Sequence, residues 1–147
     1  MATPERRFRL SVPAELESLA MVREFVTRVG ERAGLPSDEV SRLELAADEA
    51  CTNAIRHAGG GPGGELTVRA SFDAETVTVG VADAGPGFDP GAIPDEDAPR
   101  LLAARRTGGL GLRLMRSLVD ELRYERHPGG TNELRLVKRR KGAPGER

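Results

Sequence analysis

The sequence predicts an α+β two-layer sandwich, and three observations predict it. Two stretches of about twenty residues, 14–33 and 38–58, place apolar side chains at the three- and four-residue spacing of a helix buried on one face. Five short runs alternate apolar and polar residues with the period of two that a half-buried strand requires. Four of those runs form two pairs with turn residues between them, which predicts antiparallel hairpins. At 147 residues the chain is long enough for one real core and short for two, so a single domain over 1–147 is expected.

Phe8, Leu10 and Val12 alternate with Arg7, Arg9 and Ser11, and Pro13 ends that first strand. Leu16, Leu19, Ala20, Val22, Phe25, Val26 and Val29 form the apolar face of the first helix, which Gly34 stops. Pro36-Ser37-Asp38-Glu39 supplies a cap and an acidic first turn for the second helix. Its stripe of Leu43, Ala46, Ala47, Ala50 and Ala54 is mostly small, allowing close approach to a sheet or another helix. Glycines between 59 and 64 end it. The strands Leu66–Phe72 and Val77–Val81 follow as one hairpin around Asp73-Ala74-Glu75, then an irregular segment over 89–106. Leu114, Met115, Leu118 and Val119 recur at helical spacing. A second hairpin, 122–126 with 134–136, turns at His127-Pro128-Gly129-Gly130 and leaves Thr131 at its exit.

Composition removes several function classes. Lys and Arg total 22 against 23 for Asp and Glu, and a net charge of -1 argues against direct nucleic-acid or anionic-membrane binding. The basic cluster Lys138–Lys141 reads as the start of a solvated tail over 139–147. One cysteine makes no internal disulfide, no apolar run approaches the roughly 20 residues needed to cross a bilayer, and the N-terminus has no signal-peptide pattern. A cytoplasmic protein is expected. With aromatic residues at 3%, stacking platforms for single-stranded nucleic acid are effectively absent.

Chemistry gathers in four places. Asp83-Ala84-Gly85-Pro86-Gly87-Phe88 puts a carboxylate at a strand end and lets the backbone turn sharply away, though the same residues are the ordinary vocabulary of turns. Glu49, Asn53 and His57 follow one another at i, i+4, so their side chains share one helix face; a surface helix can produce that by accident. Thr107-Gly108-Gly109-Leu110-Gly111-Leu112 opens a helix with amide N–H groups unscreened by side chains, a geometry that holds phosphate oxygens; a glycine hinge is the plainer alternative. Gly129-Gly130-Thr131 precedes the last strand.

Together these stretches resemble the N box, G1 box, G2 box and terminal Gly-Thr of the GHKL ATPase and kinase superfamily, over about residues 8–138. Within it, Glu49-Ala50-Cys51-Thr52-Asn53-Ala54-Ile55-Arg56-His57 with Asp-x-Gly-Pro-Gly-Phe looks like the anti-sigma-factor serine-protein kinases of the RsbW and SpoIIAB type. The resemblance implies the Bergerat fold: a mixed sheet of about five strands, helices on one face, and ATP held between helix, sheet and a lid. No phosphoacceptor helix pair precedes the domain, which counts against a complete histidine kinase.

The resemblance makes Asn53 the Mg²⁺ ligand, Glu49 the base and Thr131 a water-mediated adenine contact. The chemistry of the residues agrees. Asp83 can accept a hydrogen bond from the amino group of adenine, where guanine offers a carbonyl, so ATP is expected over GTP. Asn53 offers Mg²⁺ a hard neutral oxygen, and Glu49 shares its face, whereas Asp48 points about 100° around the helix. Gly85 and Gly87, with Phe88 beside them, let backbone approach the nucleotide; Thr107, Gly108, Gly109, Leu110, Gly111 and Leu112 fold onto phosphates. His57 and Arg105 are candidates for phosphate charge, with a solvated surface the competing account of Arg105. Cys51 and Met115 read as core. The implied partners are a sigma factor, an anti-anti-sigma protein of the STAS type and a second copy of the chain. Two alternatives remain open: a nucleotide-dependent binding module with little or no transfer, and a plain globular domain with glycine-rich loops. The Arg105-Arg106-Thr107 run before the glycines departs from the familiar pattern of the branch.

Overall fold

A computed structural model describes residues 5–57, 64–83, 110–128 and 130–140. The order is β1 (Arg6–Pro13), a 3-10 turn (Leu16–Ser18), α1 (Leu19–Arg32), α2 (Ser37–His57), β2 (Glu65–Phe72), β3 (Thr76–Asp83), α3 (Leu110–Leu118), β4 (Glu121–Arg126) and β5 (Asn132–Arg139). One sheet of five strands runs β1-β2-β3-β5-β4, and every neighbouring pair is antiparallel. The expected mixed sheet is therefore corrected to a wholly antiparallel one. β4 does run in the direction of β3, but the β4–β5 hairpin returns β5 between them, so no parallel pair touches among the described strands.

One face of the sheet is covered. Val22, Val26 and Val29 of α1, Leu43, Ala46, Ala47 and Ala50 of α2 and Met115 of α3 share a core with Leu66, Val68 and Ala70, with Val77, Val79 and Val81, and with Leu134 and Leu136. These are alternate residues of each strand, as the pleat requires. The hairpin β2–β3 is closed by Asp73, whose Oδ1 accepts from the N–H groups of Glu75 and Thr76 at 2.8 and 2.9 Å. Those two donors hold its carboxyl below the usual 3.8.

The first helix begins later than its apolar spacing predicts. Ser18 Oγ donates to the Pro13 carbonyl at 2.7 Å and a 3-10 turn intervenes, so Leu16, expected on the buried face, is 51% exposed. At the far end of the sheet Lys138, expected in a solvated basic cluster, is instead buried in β5 facing the helices, because its Nζ donates to the Leu118 carbonyl at 3.0 Å and pairs with Glu39. One ammonium group thereby joins β5 to the end of α3 and the first turn of α2. Lys138→Met strands the Glu39 carboxylate with little water, and urea unfolding should show a loss of about 2 kcal/mol, largely recovered by adding Glu39→Leu. Equal stability of the single and wild-type chains would show that the pair contributes nothing.

Candidate functional site

Three elements end on the same side of the domain. The register sets Asp83, the last residue of β3, opposite both Leu66 at the start of β2 and Asn132 at the start of β5. Opposed residues share a face, and Leu66 belongs to the core, so Asp83 and Asn132 face the helices. A short connection joins His57, the last residue of α2, to β2, which brings the C-terminal half of α2 to this end. The end of α3 is tied by Lys138 at the opposite end of β5, so the N-terminus of α3, at Leu110, is directed back towards Asp83.

Asp83 is 8% exposed and its Oδ1 accepts from Asn132 Nδ2 at 3.5 Å. Asn132 is a candidate site residue that motif reading missed. The signal was present in the alternation: Asn132 is in phase with Leu134, Leu136 and Lys138, so it had to be an amide buried on the core-facing side. Thr131 stands just before β5, where its carbonyl accepts from the His127 N–H at 2.7 Å. Thr131 and Asn132 therefore bring the entry to β5 beside the end of β3.

On α2, Glu49 and Asn53 are half-buried beside the buried row Ala46, Ala50 and Ala54. At 100° per residue they fall on one flank of that row and Asp48 on the other. Asp48 is turned to α1, where Arg23 Nη1 donates to it at 2.7 Å. The arrangement separates two adjacent carboxylates: one is held in an ion pair between helices, and the other stands with an amide one turn away. Cys51 and Met115 are buried, as expected of core residues. Burial, and secondly the charge of Asp48, pushes the Cys51 thiol up to about 12. The folded thiol therefore keeps its proton between about pH 9 and 12 while the unfolded one loses it, so its contribution to stability falls as pH rises through that window. A thiol-specific disulfide reagent at pH 8 should label Cys51 only after unfolding; rapid native labelling would contradict its burial.

Gly85, Gly87, Phe88, Arg105, Thr107, Gly108 and Gly109 lie outside the described residues, as do the side chains of His57, Leu110, Gly111 and Leu112. The structure thus brings Asp83, Thr131 and Asn132 together on the side where the Glu49–Asn53 row lies. Oxygen donors suited to a hard cation are the Asn53 amide and the Glu49 carboxylate. A second group with ligand chemistry, Glu125, His127 and Glu133, has its donor atoms within 4.8 Å of one another. It surrounds β5 on the other face of the sheet, where the Arg135 guanidinium, 3.3 and 3.5 Å from the two carboxylates, already supplies positive charge. No helix among the described residues is long and apolar enough to cross a membrane.

Known proteins resemble this chain in sequence and in fold. The chain is 35% identical over 127 residues to the serine-protein kinase RsbW of Bacillus subtilis, covering 83% of this chain and 79% of that one. It is 34% identical over 136 residues to RsbW of Bacillus velezensis, covering 89% and 85%, and 32% identical over 128 residues to RsbW of Listeria innocua, covering 84% and 82%. Among solved structures, the RsbU and RsbW domains of Rv1364c from Mycobacterium tuberculosis match with a TM-score of 0.65 at 19% identity, over 91% of this chain and 32% of that longer one. The mycobacterial sensor histidine kinase MprB matches at 0.58 and 20% identity, over 91% and 97%, a likeness of fold. Residues 12–138 match the histidine kinase-like ATPase domain, and the chain belongs to that family.

Proposed function

We propose that this protein is an ATP-dependent serine-protein kinase that acts as an anti-sigma factor, transferring the γ-phosphoryl group of ATP to a serine of a STAS-type anti-anti-sigma partner and sequestering a sigma factor. The observation that carries the reading is the separation of Asp48 from Glu49: Arg23 holds Asp48 towards α1, and Glu49 shares a flank of α2 with Asn53, one turn away. A module that only binds nucleotide has no need of a base there.

In this reading Asp83 accepts the adenine amino group, with Asn132 beside it to hold the carboxylate in place and Thr131 reaching the base through water. Asn53 holds Mg²⁺, which neutralises phosphate charge when bound. Glu49 accepts the proton of the partner serine as its oxygen forms the new bond to the γ-phosphorus and the bond to the β-phosphate oxygen breaks, leaving ADP. Gly85, Gly87, Phe88, Thr107, Gly108, Gly109, Leu110, Gly111 and Leu112 enclose the nucleotide, and His57 and Arg105 meet phosphate charge. The protein works in the cytoplasm as one domain and pairs with a second copy along β1, an edge strand of the sheet among the described residues.

Incubation of the purified chain with Mg²⁺, radiolabelled ATP and candidate anti-anti-sigma proteins tests the reading. Label on a partner serine is the expected result. Tight ATP binding without transfer to any of them would leave the nucleotide-dependent binding module in its place.

A further inference from the structure

The helix-free face of the sheet carries a line of arginines that the site above does not use. The register sets Arg9 opposite Arg69, Arg69 opposite Gly80, Gly80 opposite Arg135 and Arg135 opposite Arg123. Directly opposed residues share a face, so one row across all five strands holds four guanidinium groups with a gap at the glycine. At a strand spacing of about 4.8 Å the row is roughly 19 Å long.

Such a row is costly in a sheet. Like charges directly opposite one another destabilise the pairing, and the row contains two such pairs, Arg9 with Arg69 and Arg123 with Arg135. Glu133 relieves part of this: it is 2% exposed and its carboxylate lies 3.9 Å from Arg69 and 3.3 Å from Arg135. Gly80 makes room for it, since a Cβ there would stand 2.2 Å from Glu133 Oε2. Glu121 pairs with Arg123 at 2.5 Å. Arg9 is exposed and has no ion-pair partner among the described residues. A groove of about 610 Å³ opens over this end of the row, lined among others by Arg7, Arg9, Arg69, Ser71, Thr78 and Arg135. The conflict is thus only partly compensated, with Arg9 the charge that remains, and a local conflict of this kind is characteristic of surfaces kept for function.

We propose that the arginine row is a docking surface for an extended acidic segment of a partner protein, its carboxylates pairing with Arg9, Arg69, Arg135 and Arg123. The width of the row favours a polypeptide over nucleic acid. It is one residue wide, and Glu133, Glu125 and Glu121 stand in the rows on either side, where a duplex would bring phosphates. The strand aromatics Phe8, Phe72 and Tyr124 all pack to the core, leaving this face without stacking partners for single-stranded bases among the described residues. An extended chain of about six residues spans the row. The proposal stands apart from the nucleotide site and is testable without ATP.

The test uses the full chain and a fluorescein-labelled peptide of six consecutive glutamates between glycines, followed by fluorescence anisotropy at two salt concentrations. The wild type should bind, more weakly at the higher salt, and Arg9→Ala with Arg69→Ala should weaken binding at least about tenfold. Arg28→Ala, on α1 and paired with Glu24, should change nothing. Arg9→Ala alone should unfold at the same or a higher urea concentration, because the repulsion with Arg69 is relieved. No binding by the wild type, equal binding by the double variant, or a lower unfolding midpoint for Arg9→Ala would overturn the proposal. So would tighter binding of a single-stranded oligonucleotide of the same charge, or a dimer that the double variant dissociates, which would give the row to a second copy.

Discussion

Replacing Glu49 with alanine should reduce phosphoryl transfer to the partner serine by about 10² to 10⁴ while leaving ATP affinity largely intact. Loss of a base acts on the step in which the serine proton departs and not on nucleotide binding. Asp48, adjacent in sequence, is in no position to substitute, because Arg23 holds it at 2.7 Å on the opposite flank of α2. Asp48→Asn should therefore transfer at close to the wild-type rate, with its penalty read in stability through the lost α1–α2 ion pair. Single-turnover transfer from labelled ATP, with affinity measured separately, distinguishes the two carboxylates. Equal turnover in Glu49→Ala and the wild type would remove Glu49 from the proposed role.

Asp83→Ala should weaken ATP binding by about ten- to a hundredfold, the equivalent of the roughly 1.5–3 kcal/mol that a hydrogen bond to a charged group contributes. The loss should fall on ATP and spare GTP, since only the adenine amino group donates to the carboxylate. The ratio of the two affinities thus reads the contact directly. Because Asp83 is buried and Asn132 Nδ2 donates to it, Asp83→Asn is the informative companion: it keeps the volume and removes the charge. Competition binding with a fluorescent adenine nucleotide measures all three. An unchanged affinity in Asp83→Ala would take that residue out of the nucleotide site.

The strands were legible because alternation depends on one face being buried. The runs around Phe8, Leu66, Val77, Leu122 and Leu134 all became strands, and α2 begins one residue before its expected start. Leu16 misled because its apolar character fits a helix started at Ala14, while the Ser18 hydroxyl's bond to Pro13 favours a tight turn that no periodicity encodes. The mixed sheet failed for a topological reason: strand order across the β4–β5 hairpin is a long-range property, invisible in the pattern of any one strand. At the site, i, i+4 spacing was enough to put Glu49 and Asn53 in one row. Asn132 was not legible as a partner of Asp83, because that pairing depends on the register between β3 and β5.

Asp83 and Asn132 are separated by 49 positions in the chain, yet they meet at the pairing that unites the β1–β2–β3 and β4–β5 portions of the sheet. Each hairpin can zip locally, whereas closing this central seam must bring together residues 49 positions apart, a loop-entropy cost that makes it a late event in folding. A nucleotide gripped beside the seam would act as a clasp across it. Amide hydrogens of β3 and β5 should then exchange more slowly with ATP present, while those of the β2–β3 turn should change little.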